Sequence, residues 1–216
     1  MQQLDPASYD QWYDTPRGSW IARCESRLLL TLATVMDGSL LDIGAGTGHF
    51  SRMFSHHGLE VTALDPSAVM LNYARQRYSA SYYVQARAEQ LPFPSKSYDY
   101  CSAITSLCFV PKPEQALKEM WRVCRKGVLL GLLHHPSLLY LLKADTAGYA
   151  GARWDRYQDI QKWADNLMPP PKIRHGYAIH LPSGNSVARL LESIMPIHTP
   201  TGGFLAVYLE NVASTK

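Results

Sequence analysis

The stretch Leu40-Leu41-Asp42-Ile43-Gly44-Ala45-Gly46-Thr47-Gly48 constrains this chain more than any other. An apolar run that ends in alternating glycines and then takes up helical spacing reads as a strand, a tight turn and a helix. Such a turn makes a pocket at the carboxyl edge of a sheet, because glycines let a ligand approach the backbone and the helix start offers unpaired N–H groups. Three ligand classes use the device, and spacing separates them. A phosphate-binding P-loop needs a lysine after its last glycine, whereas here Gly44 is followed five residues later by His49. A dinucleotide fingerprint needs GxGxxG, and His49 stands where its third small residue belongs. Both phosphate-binding patterns are disfavoured.

The surrounding sequence repeats the strand–helix alternation. Strands are predicted at Ser39–Ile43, Glu60–Leu64, Tyr82–Ala86, Tyr98–Ile104 and Val128–Leu133. Helices are predicted from Ser19 as N-cap to about Val35, from Gly46 to His57, from Ser67 to Tyr78 and from Pro113 to Arg125. Right-handed crossovers then imply a doubly wound α/β fold with a mainly parallel sheet. Pro6, Pro16 and Gly18 interrupt any long helix in the first 18 residues. After residue 133 a helix is expected over Trp154–Leu167, stopped by Pro169-Pro170-Pro171. Strands are expected at Lys172–His180 and Phe204–Asn211, with a helix over Val187–Met195 between them.

Composition excludes more than it selects. With 216 residues, 46% hydrophobic and 18% charged, the chain can bury a core without staples. A net charge of +3, with no block of like charge, gives no reason to expect nucleic acid. The four cysteines form no CxxC pair and no zinc-ligand spacing, so no metal is expected. No apolar stretch approaches the ~20 residues of a membrane span, and a basic, apolar leader is missing. A cytoplasmic protein is the expectation.

Further motifs follow the glycine loop in order. Val61-Thr62-Ala63-Leu64-Asp65-Pro66-Ser67 is an apolar strand ending in an acid, 19 residues after Gly46. Met70-Leu71 and Ala74-Arg75 follow, then Ala88-Glu89-Gln90-Leu91-Pro92-Phe93, Ser97-Tyr98-Asp99-Tyr100 and Glu119-Met120-Trp121-Arg122-Val123. Over about residues 38–133 this ordered set resembles the class I S-adenosylmethionine-dependent methyltransferases, of the small-molecule, ubiquinone/menaquinone-methyltransferase-like kind. The resemblance implies a seven-stranded Rossmann-like sheet, with a helical cover over 1–36, a cofactor-binding core over 37–133 and an acceptor-side insertion with the last strands over 134–216. It departs from the family at Cys124-Arg125-Lys126-Gly127, where a proline and one glycine of the usual turn before strand five are missing.

The same resemblance implies S-adenosylmethionine as cofactor and assigns residues to it. Gly44, Ala45, Gly46, Thr47 and Gly48 form the cradle, and Asp42 either orients the loop or acts indirectly on the amino-acid end. Asp65 and Pro66 belong to the ribose, the Asp65 carboxylate being able to accept two hydroxyl protons. Met70, Ala88 and Glu89 border the adenine, and Thr105 follows strand four at the same edge. Tyr9-Asp10-Gln11-Trp12-Tyr13-Asp14 resembles an element that folds over the pocket, placing Tyr9 and Tyr13 near a sulfonium that ring faces would stabilise.

The acceptor is less legible. Ile104-Thr105-Ser106-Leu107-Cys108-Phe109 is neither the [DN]PP[YFW] motif of adenine- and glutamine-directed enzymes nor a Pro-Cys nucleophile, which favours a small molecule. Its wall is expected between 134 and 200, from among Tyr140, Tyr149, Trp154, Tyr157, Trp163 and Tyr177, with ordinary core the alternative for each. His134, His135 and Tyr13 are the candidate bases should the acceptor bind protonated. Two other readings compete: a non-catalytic cofactor-binding sensor or partner subunit, and a nicotinamide-dependent oxidoreductase.

Overall fold

The computed structural model describes residues 5–33, 36–78, 82–144, 146 and 149–212. Seven strands form one sheet: β1 (Ser39–Ile43), β2 (Glu60–Asp65), β3 (Tyr82–Gln85), β4 (Tyr98–Ile104), β5 (Cys124–Leu133), β6 (Lys172–Ala178) and β7 (Phe204–Glu210). Their order is β3-β2-β1-β4-β5-β7-β6. β1 to β5 run parallel, and β7 enters antiparallel between β5 and β6. The doubly wound, mainly parallel expectation is met, and the strand order reverses between β1 and β4, where ligands of open α/β sheets bind.

Helices cover both faces. One layer holds α2 (Pro16–Ala33), α3 (His49–His56) and α8 (Ser186–Ile194), packed with Leu28, Leu29, Phe54 and Ala188 over Leu40, Val61 and Phe204. The other holds α5 (Pro113–Val123) and α7 (Tyr157–Ala164), with Leu117, Met120 and Ile160 over Leu41, Cys101 and Leu130. Both faces of the central strands are therefore buried, which is why Leu40-Leu41 of β1 and Val128–Leu133 of β5 read as apolar runs. α4 (Ala68–Arg77) follows β2, capped by the Ser67 hydroxyl on the Met70 N–H at 3.3 Å.

Several boundaries differ from expectation. The chain breaks at Thr15 ahead of Pro16, as expected, but into two helices: α1 spans Pro6–Asp14, and α2 begins at Pro16, three residues before Ser19. Proline is tolerated in the first helical turn, where its missing N–H has no partner to lose. Gly18 does not interrupt α2 either; a Cβ there would lie 2.0 Å from the Trp12 carbonyl oxygen, so glycine allows α1 and α2 to cross closely. The far end expected for α2, at Val35, lies outside the described residues.

α5 stops at Val123, and β5 starts at Cys124 instead of Val128. Cys124–Gly127 is thus strand, joined to β4 through an irregular register between Tyr98 and Tyr100. A short α6 (Leu138–Lys143) also lies in the segment where no helix was expected, while Trp154 stands ahead of α7. Among the described residues no helix is long and apolar enough to cross a membrane, and no cluster of acidic, histidine and cysteine side chains could hold a metal.

Candidate functional site

The glycine loop has one closed side and one open side. Gly44, Gly46 and Gly48 all have positive φ, at +73°, +55° and +81°. A Cβ on Gly44 would fall 2.4 Å from the Ser106 Cβ, so this glycine is needed where the ends of β1 and β4 meet. A Cβ on Gly46 would meet nothing within 4 Å, and this is the side a ligand can approach. The Gly44 and Ala45 N–H groups are spent on the Leu64 carbonyl, at 2.7 and 3.0 Å. Gly48 caps α3 without a side-chain partner, leaving first-turn N–H groups to the pocket.

Asp65 closes the neighbouring wall. Its carboxylate accepts from the Gly46 N–H at 2.9 Å and from the Ser67 N–H at 2.8 Å. Burial pushes its carboxyl up, against the pull of these two donors. Each oxygen takes one backbone donor and keeps acceptor capacity for a diol. Met70 is half-buried on the first turn of α4, and Pro66 is exposed beside Asp65. Ala88 is buried, and Glu89 is half-buried, with its carboxylate 3.8 Å from Arg87 and its carbonyl accepting from Gln115. Thr105 takes a positive φ of +50° just past β4, its N–H on the Gly131 carbonyl at 2.7 Å.

Two expected cofactor residues turn their side chains elsewhere. Asp42 is buried and accepts from the hydroxyls of Ser51 at 2.6 Å and Ser102 at 2.8 Å, so it ties α3 to β4 beneath the loop. Thr47 is fully buried and donates its hydroxyl to Asp10 at 3.1 Å. Only its backbone faces the cradle.

Asp10 is a residue that sequence reasoning passed over. It is 5% exposed, yet it receives the Thr47, Tyr73 and Tyr78 hydroxyls and lies 3.6 Å from Arg52 and 3.7 Å from Arg77. α1 is thereby clamped to the glycine loop and α4. Tyr13 stacks on His49, with centroids 3.6 Å apart and an interplanar angle of 10°, and shares a 3.2 Å hydrogen bond with Tyr9. Burial, with Arg52 adding to it, holds His49 down at about 4, so the ring under Tyr13 is neutral at physiological pH. Position 49, which argued against a dinucleotide, is thus where the N-terminal cover rests.

Asp10→Ala would strand the buried Thr47 hydroxyl and two arginines. We expect about 2 kcal/mol of lost stability in chemical denaturation. Faster hydrogen exchange confined to residues 6–14 would accompany it; unchanged exchange there would refute the clamp.

On the acceptor side, the expected aromatic wall divides. Trp163 and Tyr177 are core residues, and Tyr157 stacks on His175 at 3.8 Å. Tyr140, Trp154 and Tyr149 remain a connected series, with 5.4 Å between successive centroids. His134 is buried, donates from Nδ1 to the Gly202 carbonyl at 2.8 Å and is held neutral by burial. His135 accepts at Nδ1 from Arg156 and meets the edge of Tyr140 at 4.3 Å.

Comparison with known proteins agrees with this geometry. Residues 41–132 match the family model described as a methyltransferase domain. The chain is 34% identical over 141 residues to the malonyl-[acyl-carrier protein] O-methyltransferase of Serratia marcescens, covering 65% of this chain and 52% of that one. It spans about half the length of the curated relatives it matches. A solved S-adenosylmethionine-dependent methyltransferase from Thermotoga maritima superposes with a TM-score of 0.76 at 24% identity, covering 94% of both chains. The magnesium protoporphyrin IX methyltransferase of Synechocystis, solved with bound S-adenosylhomocysteine, superposes with 0.67 at 15% identity over 95% of this chain and 94% of that one. Residues 41–132 thus match a methyltransferase domain that holds the open cradle at Gly46 and the acid that ends β2, and the whole sheet has the fold of solved S-adenosylmethionine-dependent methyltransferases.

Proposed function

We propose that this chain is a methyltransferase acting on a small-molecule acceptor. The observation that carries the reading is the pairing of an open Gly46 with Asp65 at the switch point of the sheet. When bound, the cofactor supplies an electrophilic methyl group on a sulfonium centre. The chain's own residues then hold and position. The backbone of Gly44–Gly48 cradles the amino-acid end, Asp65 takes the ribose hydroxyls, and Met70, Ala88 and Glu89 flank the adenine. Tyr9 and Tyr13, held by Asp10 and His49, exclude water and present ring faces to the cation. In-line displacement asks mainly for positioning of the acceptor near the methyl carbon, so no metal or covalent enzyme intermediate is required.

We divide the chain as a helical cover over 1–36, a cofactor core over 37–133 and an acceptor region over 134–216. Four free cysteines, three of them buried, suit a reducing cytoplasm. The weak net charge supports a small molecule over nucleic acid. The relatives named for malonyl-acyl-carrier protein make a carrier-bound carboxylate one class of acceptor to compare.

Thermal denaturation with S-adenosylhomocysteine, NAD and ATP in parallel tests the cofactor. Stabilisation is expected with the first alone, and a larger shift with NAD would favour the oxidoreductase reading. Turnover of labelled S-adenosylmethionine with an acceptor would separate an enzyme from a sensor. Asp65→Ala should weaken S-adenosylhomocysteine binding at least tenfold, roughly 1.4 kcal/mol, and should also cost the ligand-free protein about 1–2 kcal/mol, because the Gly46 and Ser67 N–H groups lose their acceptor. Equal affinity would remove Asp65 from the site.

A further inference from the structure

Two short helices turn their apolar side outward. On α8, Val187, Leu190 and Ile194 recur at the spacing of one helical stripe, the arrangement that normally packs on a core. All three are exposed, and Ala188 is the buried residue of this helix. α6 repeats the pattern: Leu139 is buried, while Leu138, Leu141 and Leu142 are exposed. Exposure of the six side chains runs from 38% at Leu138 to 76% at Leu141, so they are not core residues glimpsed at an edge.

The six belong to one surface, because two grooves join the helices. A groove of about 480 Å³ lies between Leu138 and Leu141 of α6 and Leu191 and Met195 at the end of α8. A second, of about 440 Å³, lies between Leu142 and Val187, and Leu138 and Leu181 line both. A continuous apolar patch with a polar rim marks an interaction surface. Its floor includes Ser137, which follows β5, and His180, which follows β6. The surface therefore lies at the carboxyl edge of the sheet, the edge that also carries the glycine loop.

The charge around it selects what can cover it. Among the described residues no Asp or Glu lines either groove, whereas Arg17 and Lys143 line the second. The Arg17 Nε donates to the Pro182 carbonyl at 2.7 Å. Arg189, exposed on α8, donates to the Gly184 and Pro16 carbonyls at 2.8 and 3.0 Å. Carbonyls position these guanidinium groups without neutralising them. Glu192, the one acid of α6 and α8, turns inward and accepts from the Ile179 and His180 N–H groups at 2.7 and 2.9 Å. Apolar helix faces flanked by cations and cleared of acids suit a surface that is apolar within and anionic at its boundary. A second copy of this chain would instead bring the same cations face to face.

We propose that α6 and α8 form a docking surface for an anionic lipid bilayer, with the leucines entering the acyl boundary and Arg17, Lys143 and Arg189 meeting the phosphates. No membrane-spanning helix is needed, and nothing in the surface depends on the cofactor.

Sedimentation with vesicles of phosphatidylcholine alone, and of equal parts phosphatidylcholine and phosphatidylglycerol, tests this. Partition onto the mixed vesicles should be roughly tenfold greater or more, and should fall as sodium chloride is raised. These two measurements need no variant. Leu141→Glu with Leu190→Glu should lower partition by roughly tenfold or more with an unchanged urea midpoint, because both side chains already stand in solvent. Lys143→Gln should lower it about fivefold. Equal partition onto both vesicles, none onto either, indifference to salt, or undiminished binding by the double variant would each overturn the proposal. So would a dimer of the lipid-free protein that the double variant dissociates, since a second copy would then occupy this face.

Discussion

Gly46→Ala is expected to lose roughly a hundredfold in S-adenosylhomocysteine affinity, about 2.7 kcal/mol, while keeping most of its stability. Gly44→Ala is expected to do the reverse. Both glycines have positive φ, so each substitution carries about 1 kcal/mol of backbone strain. They differ in what the new methyl meets. At Gly46 it enters open space on the ligand side, so the folded chain tolerates it and the ligand does not. At Gly44 it collides with the Ser106 Cβ and with its Oγ, 2.8 Å away, while that hydroxyl is held to the Ile43 carbonyl at 2.7 Å. The ends of β1 and β4 must then separate, and overpacking of this kind adds about 2 kcal/mol, for a total near 3 kcal/mol. Urea denaturation together with calorimetric titration distinguishes the two. Wild-type affinity in a folded Gly46→Ala protein would mean that the open side of the loop is not where the cofactor lies.

The parts of the chain that sequence made legible share a cause. A parallel sheet buried on both faces writes its strands as apolar runs, and the turns at its carboxyl edge must use glycine or an acid, as at Gly44–Gly48 and Asp65. What escaped depends on contacts between distant elements. Gly18 reads as a breaker until it is seen against the Trp12 carbonyl, since nothing local shows that two helices cross there. Cys124-Arg125-Lys126 continues α5 equally well by composition, and only pairing with β4 makes it strand. Trp163 and Tyr177 could not be separated from Tyr149 and Trp154 by type, because a ring in the core and a ring on a pocket wall are the same residue.

Two charged residues carried a signal that went unread. Asp10 stands inside the aromatic Tyr9–Asp14 element, where attention to the rings hides the one side chain that fastens it. Glu25 falls four residues after Ile21 and three before Leu28, on the stripe that the apolar spacing assigns to the core. An acid on a buried stripe is the kind of departure from pattern that marks function or strain.

Glu25→Gln should therefore stabilise the ligand-free protein, and more so as the pH rises. Burial pushes the Glu25 carboxyl up to about 8 in the folded chain, against 4.5 for an ordinary glutamate. Below about 4.5 both folded and unfolded chains hold the proton, and the residue costs nothing through ionisation. Between about 4.5 and 8 the unfolded chain gives up its proton while the folded one retains it, so stability falls with rising pH. Above 8 both are ionised and the full penalty stands, roughly 4 to 5 kcal/mol. Glutamine has the shape of the protonated acid and cannot ionise. The groups around it, Tyr9, Tyr13, Tyr149 and Cys24, are all held up by burial and stay neutral across this range. Urea denaturation of the two proteins at pH 5 and pH 9 should thus show them close together at the first and several kcal/mol apart at the second. Parallel curves at both pH values would place an ordinary carboxylate at position 25.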